Sequence, residues 1–144
     1  MPIVHWADAA TRPRSDDPDG FAKQFVNREM GATKLQMHVS SISPGKRAHP
    51  PHKHVEEEII YVLSGTGTME IDDEFTEVGK DSATFLPSWV FHGIENTGDE
   101  MLTYVVILEP KREELKITKR KKSLQHLEEI GHEWNGNTRT NAKG

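Results

Sequence analysis

The sequence predicts an all-β sandwich or barrel, and three observations carry that expectation. Short runs rich in β-branched and aromatic residues recur at roughly 8–12-residue spacing. Gly, Pro, Asn or Asp marks most gaps between them. At 144 residues the chain has the length of one domain and can bury a real apolar core. With no cysteine, disulfides, thiolate chemistry and cysteine-rich zinc sites are excluded. A formal net charge of -5 argues against general nucleic-acid binding. No apolar run approaches the ~18 residues of a membrane span, and Met1 to Trp6 is too short and polar for a signal peptide. A cytoplasmic protein with no membrane partner is expected.

Taken in order, residues 1–22 read as an N-terminal arm. Thr11 to Gly20 is polar and broken by Pro13 and Pro18, so it is expected to be irregular surface chain. Ile3, Val4 and Trp6 are expected to anchor the arm against a sheet, either this chain's own or that of a second subunit. The barrel is set at residues 23–110. Gln24 to Asn27 leads to a turn at Met30-Gly31-Ala32. Lys34 to Ser40 then alternates, with Leu35, Met37 and Val39 on one face and Gln36, His38 and Ser40 on the other. Ser43-Pro44-Gly45 ends that strand, and His49-Pro50-Pro51 stiffens the approach to His52.

Glu58 to Leu63 is dense in β-branched and aromatic residues and reads as a core strand. Ser64 to Gly67 reads as a turn, Thr68 to Ile71 as the return strand, and Asp72-Asp73-Glu74 as a further turn. Phe75 to Val78, Ser82 to Leu86 and Val90 to Ile94 are shorter strands, broken at Gly79-Lys80-Asp81 and Pro87. Leu102 to Leu108 is the most apolar strand of all, with Tyr104, like Tyr61, on a core strand. Asn96 is read as turn-forming. Residues 111–144 read as a helical extension and tail. Leu124, Leu127, Ile130 and Trp134 form a stripe expected to pack on the barrel exterior. The basic run Lys119 to Lys122 reads as solvated connection, because Glu113 and Glu114 precede it.

The chemistry gathers around His52-Lys53-His54-Val55-Glu56-Glu57-Glu58. On a strand, His52 and His54 point the same way, because side chains alternate with period two. A carboxylate that starts the next strand can enter the same interior; Glu58 is the candidate, with Glu56 and Glu57 as rivals. His92 offers a fourth ligand. Imidazole nitrogen with carboxylate oxygen is a donor set suited to a divalent transition ion. His38 is a candidate proton shuttle beside such a site, against the plainer reading of a solvated histidine.

These two stretches resemble the cupin superfamily. Gly45, His52, His54, Glu58 and Gly65 follow its first motif, with a spacer one residue longer than usual before His52. Gly79, Pro87, His92 and Asn96 follow its second, except for a longer spacer before Pro87 and Trp89 in the place of a glycine. The resemblance spans roughly Thr33 to Pro110. It implies a jelly-roll β-barrel holding one divalent ion (Fe, Mn, Ni, Co or Zn) on His52, His54, Glu58 and His92, and it favours Glu58 over its rivals. It also implies a homodimer and a small-molecule substrate or ligand. Dioxygenase chemistry on a small oxygenated substrate is placed slightly ahead of isomerase, decarboxylase or lyase chemistry. The reason is an apolar lining inferred beside His92, with Trp89 at the family's glycine position. Apolar Ile60, Val62 and Val90, with no arginine evident beside the ion, disfavour a highly charged substrate. A non-catalytic ligand-binding module is the remaining alternative.

Overall fold

Nine antiparallel strands make up the architecture in the computed structural model, which describes residues 2–111. They are β1 (Ala10–Arg14), β2 (Asp17–Val26), β3 (Gln36–Ile42), β4 (Glu58–Ser64), β5 (Thr66–Ile71), β6 (Glu74–Gly79), β7 (Ala83–Leu86), β8 (His92–Glu95) and β9 (Leu102–Leu108). One sheet has the order β1-β2-β3-β9-β4-β7 and the other β6-β5-β8. The core joins both sheets: Met69 of β5 and Ile94 of β8 cluster with Ile42, Ile60, Val62 and Leu102 of the larger sheet. This is the all-β jelly-roll barrel that the sequence predicts. Among the described residues there is no α-helix, hence none long and apolar enough to cross a membrane. The helix expected at residues 123–134 lies outside the described residues.

Period-two patterning produces the strands that matter most. Along β4, Glu58, Ile60 and Val62 are buried while Ile59, Tyr61 and Leu63 face out. Along β9, Leu102, Tyr104 and Val106 are the buried set. Register then fixes which side chains share the interior. His38 pairs with Val106, and Val106 with Ile60; Ser40 pairs with Tyr104, and Tyr104 with Val62. His38 and Ser40 therefore stand on the interior face, in two successive rows beside the row of Glu58 and Leu108.

The N-terminal arm is a correction. Residues 10–14 and 17–26 form an antiparallel hairpin on the edge of the larger sheet, and the boundary expected after residue 22 falls inside β2. Pro13 is tolerated because β1 is an edge strand, where a missing N–H breaks no central ladder. The hairpin is pinned by Asp17, whose carboxylate accepts the Ser43 N–H at 2.9 Å and its hydroxyl at 2.6 Å. Trp6 packs against Phe21 and Phe25 of β2, which is the anchoring expected of it.

Two smaller differences follow from local chemistry. The turn before β5 is shorter than expected: only Gly65 separates β4 from β5, with φ +86°. A Cβ there would collide with the Met101 carbonyl oxygen, so the bend needs glycine. Tyr61 faces outward, donating its hydroxyl to Asp81 at 3.1 Å, whereas Tyr104 is buried.

Candidate metal centre

His52 and His54 do not sit on a regular strand. Pro50 and Pro51 offer no N–H upstream, and only His52 pairs, in an isolated antiparallel bridge with His92. That bridge is reciprocal: His52 N–H to the His92 carbonyl at 2.9 Å, and His92 N–H to the His52 carbonyl at 2.8 Å. It sets the two rings side by side with centroids 4.9 Å apart. His54 completes a triangle, 4.9 Å from His52 and 5.0 Å from His92. Its carbonyl accepts the Trp89 N–H at 2.7 Å, which ties the His54 loop to the turn that precedes His92.

One ligand nitrogen from each of His52, His54 and His92 lies within 4.8 Å of the others, so these three residues could hold a metal ion. Glu58, first residue of β4, aims Oε1 at the same point, 3.1 Å from His54 Nε2 and 3.4 Å from His92 Nε2. The other ring nitrogens are already engaged. His54 Nδ1 lies 2.9 Å from the Glu56 carbonyl and His92 Nδ1 2.9 Å from the Val90 carbonyl. A carbonyl can only accept, so each Nδ1 carries the proton, and in the neutral ring Nε2 carries a lone pair. Two lone pairs and a carboxylate oxygen converging on one point repel unless a cation stands among them. His92 Nε2 is moreover buried without a hydrogen bond. The residues fit a metal ion.

The electrostatics agree. Burial alone would raise the Glu58 carboxyl, but the facing His54 and His92 rings, whose protonated forms would donate to it, prevail and hold it down at about 2. Burial, with neighbouring His49, His92 and His54, lowers His52 to about 4 and keeps it neutral. His54 is raised, chiefly because Glu58 accepts a hydrogen bond from its protonated form. His49 is exposed, and its ring lies 4.1 Å from that of His52.

The three candidate carboxylates separate clearly. Glu57 is exposed. Glu56 is buried but lies behind the ring, with Oε1 3.7 Å from His54 Nδ1, where it can bias the imidazole rather than join the cluster. Trp89 does not wall the interior: it is 56% exposed. Ile60 and Val62 belong to the core cluster.

His38 stands on the interior face one row from Glu58. Its pKa is lowered by burial first, with Glu58 opposing and Arg14 and Arg12 adding to the depression. Arg14 was not legible as a site residue. Its Nη2 donates to Ser40 Oγ at 3.0 Å, so its side chain reaches the interior face. The expectation of no arginine near the site is therefore corrected: read as loose surface chain, Thr11 to Gly20 gave no sign of pairing with the barrel. Alternation of Arg12 and Arg14 around Pro13 was the one available signal.

The model of the family described as Cupin domain matches residues 38–108. This chain belongs to the cupin superfamily. Over 81 residues it is 30% identical to polyketide synthase CurC of Streptomyces cyaneus, covering 56% of this chain and 53% of that protein. Curated relatives are matched over only 39% to 53% of their own length. Among solved cupin structures, polyketide cyclase RemF of Streptomyces resistomycificus superposes with TM-score 0.66 at 25% identity, covering 77% of this chain and 80% of that one. A predicted oxalate decarboxylase of Thermotoga maritima superposes with TM-score 0.67 at 22% identity, over 76% and 100% of the two chains. The latter likeness is one of fold.

Proposed function

We propose that this cupin is a mononuclear metalloenzyme that acts on a small carbonyl-bearing substrate by redox-neutral proton transfer. The observation that carries this reading is the convergence of His54 Nε2, His92 Nε2 and Glu58 Oε1 on one point, with both Nδ1 protons committed to backbone carbonyls. A divalent ion held by His52, His54, Glu58 and His92 would supply Lewis acidity toward a carbonyl or enol oxygen. The protein's own part is to hold that donor set ready. The Glu56 and Val90 carbonyls fix the ring orientations, and the His52–His92 bridge fixes their spacing. His38, neutral at pH 7 because burial lowers its pKa, is available to accept a proton from carbon next to a carbonyl.

Redox-neutral chemistry is preferred to dioxygenase chemistry on physical grounds. The preference for an oxygenase rested on an apolar wall, and Trp89 is exposed, whereas His38, Ser40 and the Tyr104 hydroxyl give the interior a polar strip. Similarity to a polyketide synthase and a polyketide cyclase supports oxygen-rich, enolisable substrates.

Metal content decides the site. His52→Ala, His54→Ala, His92→Ala and Glu58→Gln should each fall well below one ion per chain by elemental analysis, with β-sheet circular dichroism retained, while Glu57→Gln keeps its ion. Retention in all four variants overturns the assignment. For the reaction, metal-free protein is loaded separately with zinc, manganese, nickel and ferrous iron and offered β-diketones, phenols and oxo acids. Product formed with zinc under anaerobiosis is expected, and should drop about 100-fold or more in His38→Ala. Substrate-dependent oxygen uptake confined to iron would establish an oxygenase instead. Binding without turnover under every metal would establish a ligand-binding module.

A further inference from the structure

Three buried polar side-chain atoms among the described residues have no hydrogen-bond partner: His92 Nε2, Asn27 Oδ1 and Arg14 Nε. The first belongs to the metal centre. Arg14 Nε belongs to a guanidinium that enters the barrel interior from the edge hairpin, where Nη2 is spent on Ser40 Oγ at 3.0 Å. Ser40 is 2% exposed, pairs in register with Tyr104, and its side chain hydrogen-bonds the Tyr104 hydroxyl. Tyr104 in turn is in electrostatic reach of both Arg14 and Glu58. His38 is likewise in electrostatic reach of Glu58, Arg14 and Arg12. A single polar strip thus runs from the metal centre, past His38 and Tyr104, to a cation with a free N–H.

We infer that Arg14 is a substrate-binding residue that takes an anionic oxygen, a carboxylate or enolate, of a substrate whose other end binds at the metal centre. The inference rests on the metal-centre reading and narrows its substrate class to anionic oxo compounds with a second acidic group remote from the chelating oxygens. Three features argue for an anion rather than a purely structural arginine. No carboxylate is paired with the guanidinium in the described structure, although Asp17 is its register partner; both Asp17 oxygens are bonded to Ser43. An unpaired buried N–H on a permanent cation is costly, so a ligand that fills it gains a charge-assisted hydrogen bond. And the Ser40 contact holds the guanidinium in a fixed orientation, which suits recognition of a planar carboxylate.

The test uses zinc-loaded full-length protein and isothermal titration calorimetry. The probes are oxaloacetate, 2-oxoglutarate, 2-oxoadipate and 2-oxopimelate, each against the 2-oxo monocarboxylic acid of the same chain length. Both members of a pair offer the same chelating oxygens, so their ratio isolates the remote carboxylate. At least one diacid should bind about tenfold or more tightly than its counterpart. That preference should vanish in Arg14→Met, with monocarboxylate affinity unchanged. Should Arg14→Met unfold, Arg14→Gln, which keeps a donor for Ser40 without the charge, carries the same comparison. Equal affinities within every pair, or a preference that survives loss of Arg14 in a folded variant, overturns the inference. Zinc content measured on the same samples keeps the two readings apart. Full zinc and unchanged monocarboxylate binding in a His52→Ala/His92→Ala double variant would overturn the metal centre and leave the arginine site to stand on its diacid preference.

Discussion

Trp89 stands where the cupin motif places a glycine, and the backbone there explains why glycine suits the position. Its φ is +65°, in the left-handed region, which costs an L-residue roughly 1–2 kcal/mol. The turn is retained because the Trp89 N–H holds the His54 carbonyl at 2.7 Å, so the strained residue positions a metal-site loop. Trp89→Gly should therefore melt above Trp89→Ala, by about 1 kcal/mol of stability, since both remove the exposed indole and only glycine removes the strain. Equal melting temperatures would show that the turn is unstrained. Metal loading belongs to the same scale. A bound ion needs neutral imidazoles, so protons compete with it and occupancy should fall on acidification through the region of free histidine, pKa about 6.5. His54 is raised by Glu58 and should protonate first, while His52, held at about 4, should resist longest. Metal content after dialysis across roughly pH 4 to 8 checks this; occupancy that rises as pH drops contradicts it.

At the scale of the element, β9 ties the interior together, and Tyr104 is its polar member. Burial raises the Tyr104 hydroxyl from 10.0 to about 12. A group whose folded pKa is raised contributes stability that is intact below its unfolded value and lost as pH climbs to the folded value. Stability should therefore drop between about pH 10 and 12 through this residue, and Tyr104→Phe should flatten that limb of a denaturant-midpoint profile. An unchanged alkaline limb would mean that Tyr104 ionises freely. The elements that were legible in sequence are those with local information. Leu102 to Leu108 and Glu58 to Leu63 alternate visibly, and Asp72-Asp73 announces a hairpin through two residues at positive φ. Asn96 was legible as turn-forming: fully buried, it donates to the Ile42 and Glu100 carbonyls and accepts the Gly98 N–H. The β1–β2 hairpin was not legible, because Pro13, Pro18 and a polar run look like loop unless one knows that the partner strand is β3 and the position an edge.

For the whole molecule, the metal cluster was legible because motif spacing survives even when its strand does not form, whereas the arginine subsite depends on the β1–β2 hairpin docking along β3. The outer face of the larger sheet depends on register in the same way. Met37, Ile107, Ile59 and Phe85 align across β3, β9, β4 and β7 into one apolar row. Ile59 is 41% exposed, Phe85 56%, and Leu35 beside them 60%. A row of that kind facing water favours a partner. We propose that a second copy of this chain covers it, which gives the homodimer expected from the resemblance a location. One self-complementary patch closes a twofold dimer without further growth. Sedimentation velocity at micromolar concentration should then show a dimer. Phe85→Glu and Ile59→Glu should each shift it to monomer, because an unpaired carboxylate would be buried twice per interface. Both side chains point away from the interior, so metal content should stay unchanged. A monomeric wild-type protein, or a dimer that tolerates both glutamates, would sink this assignment while leaving the metal centre and Arg14 untouched.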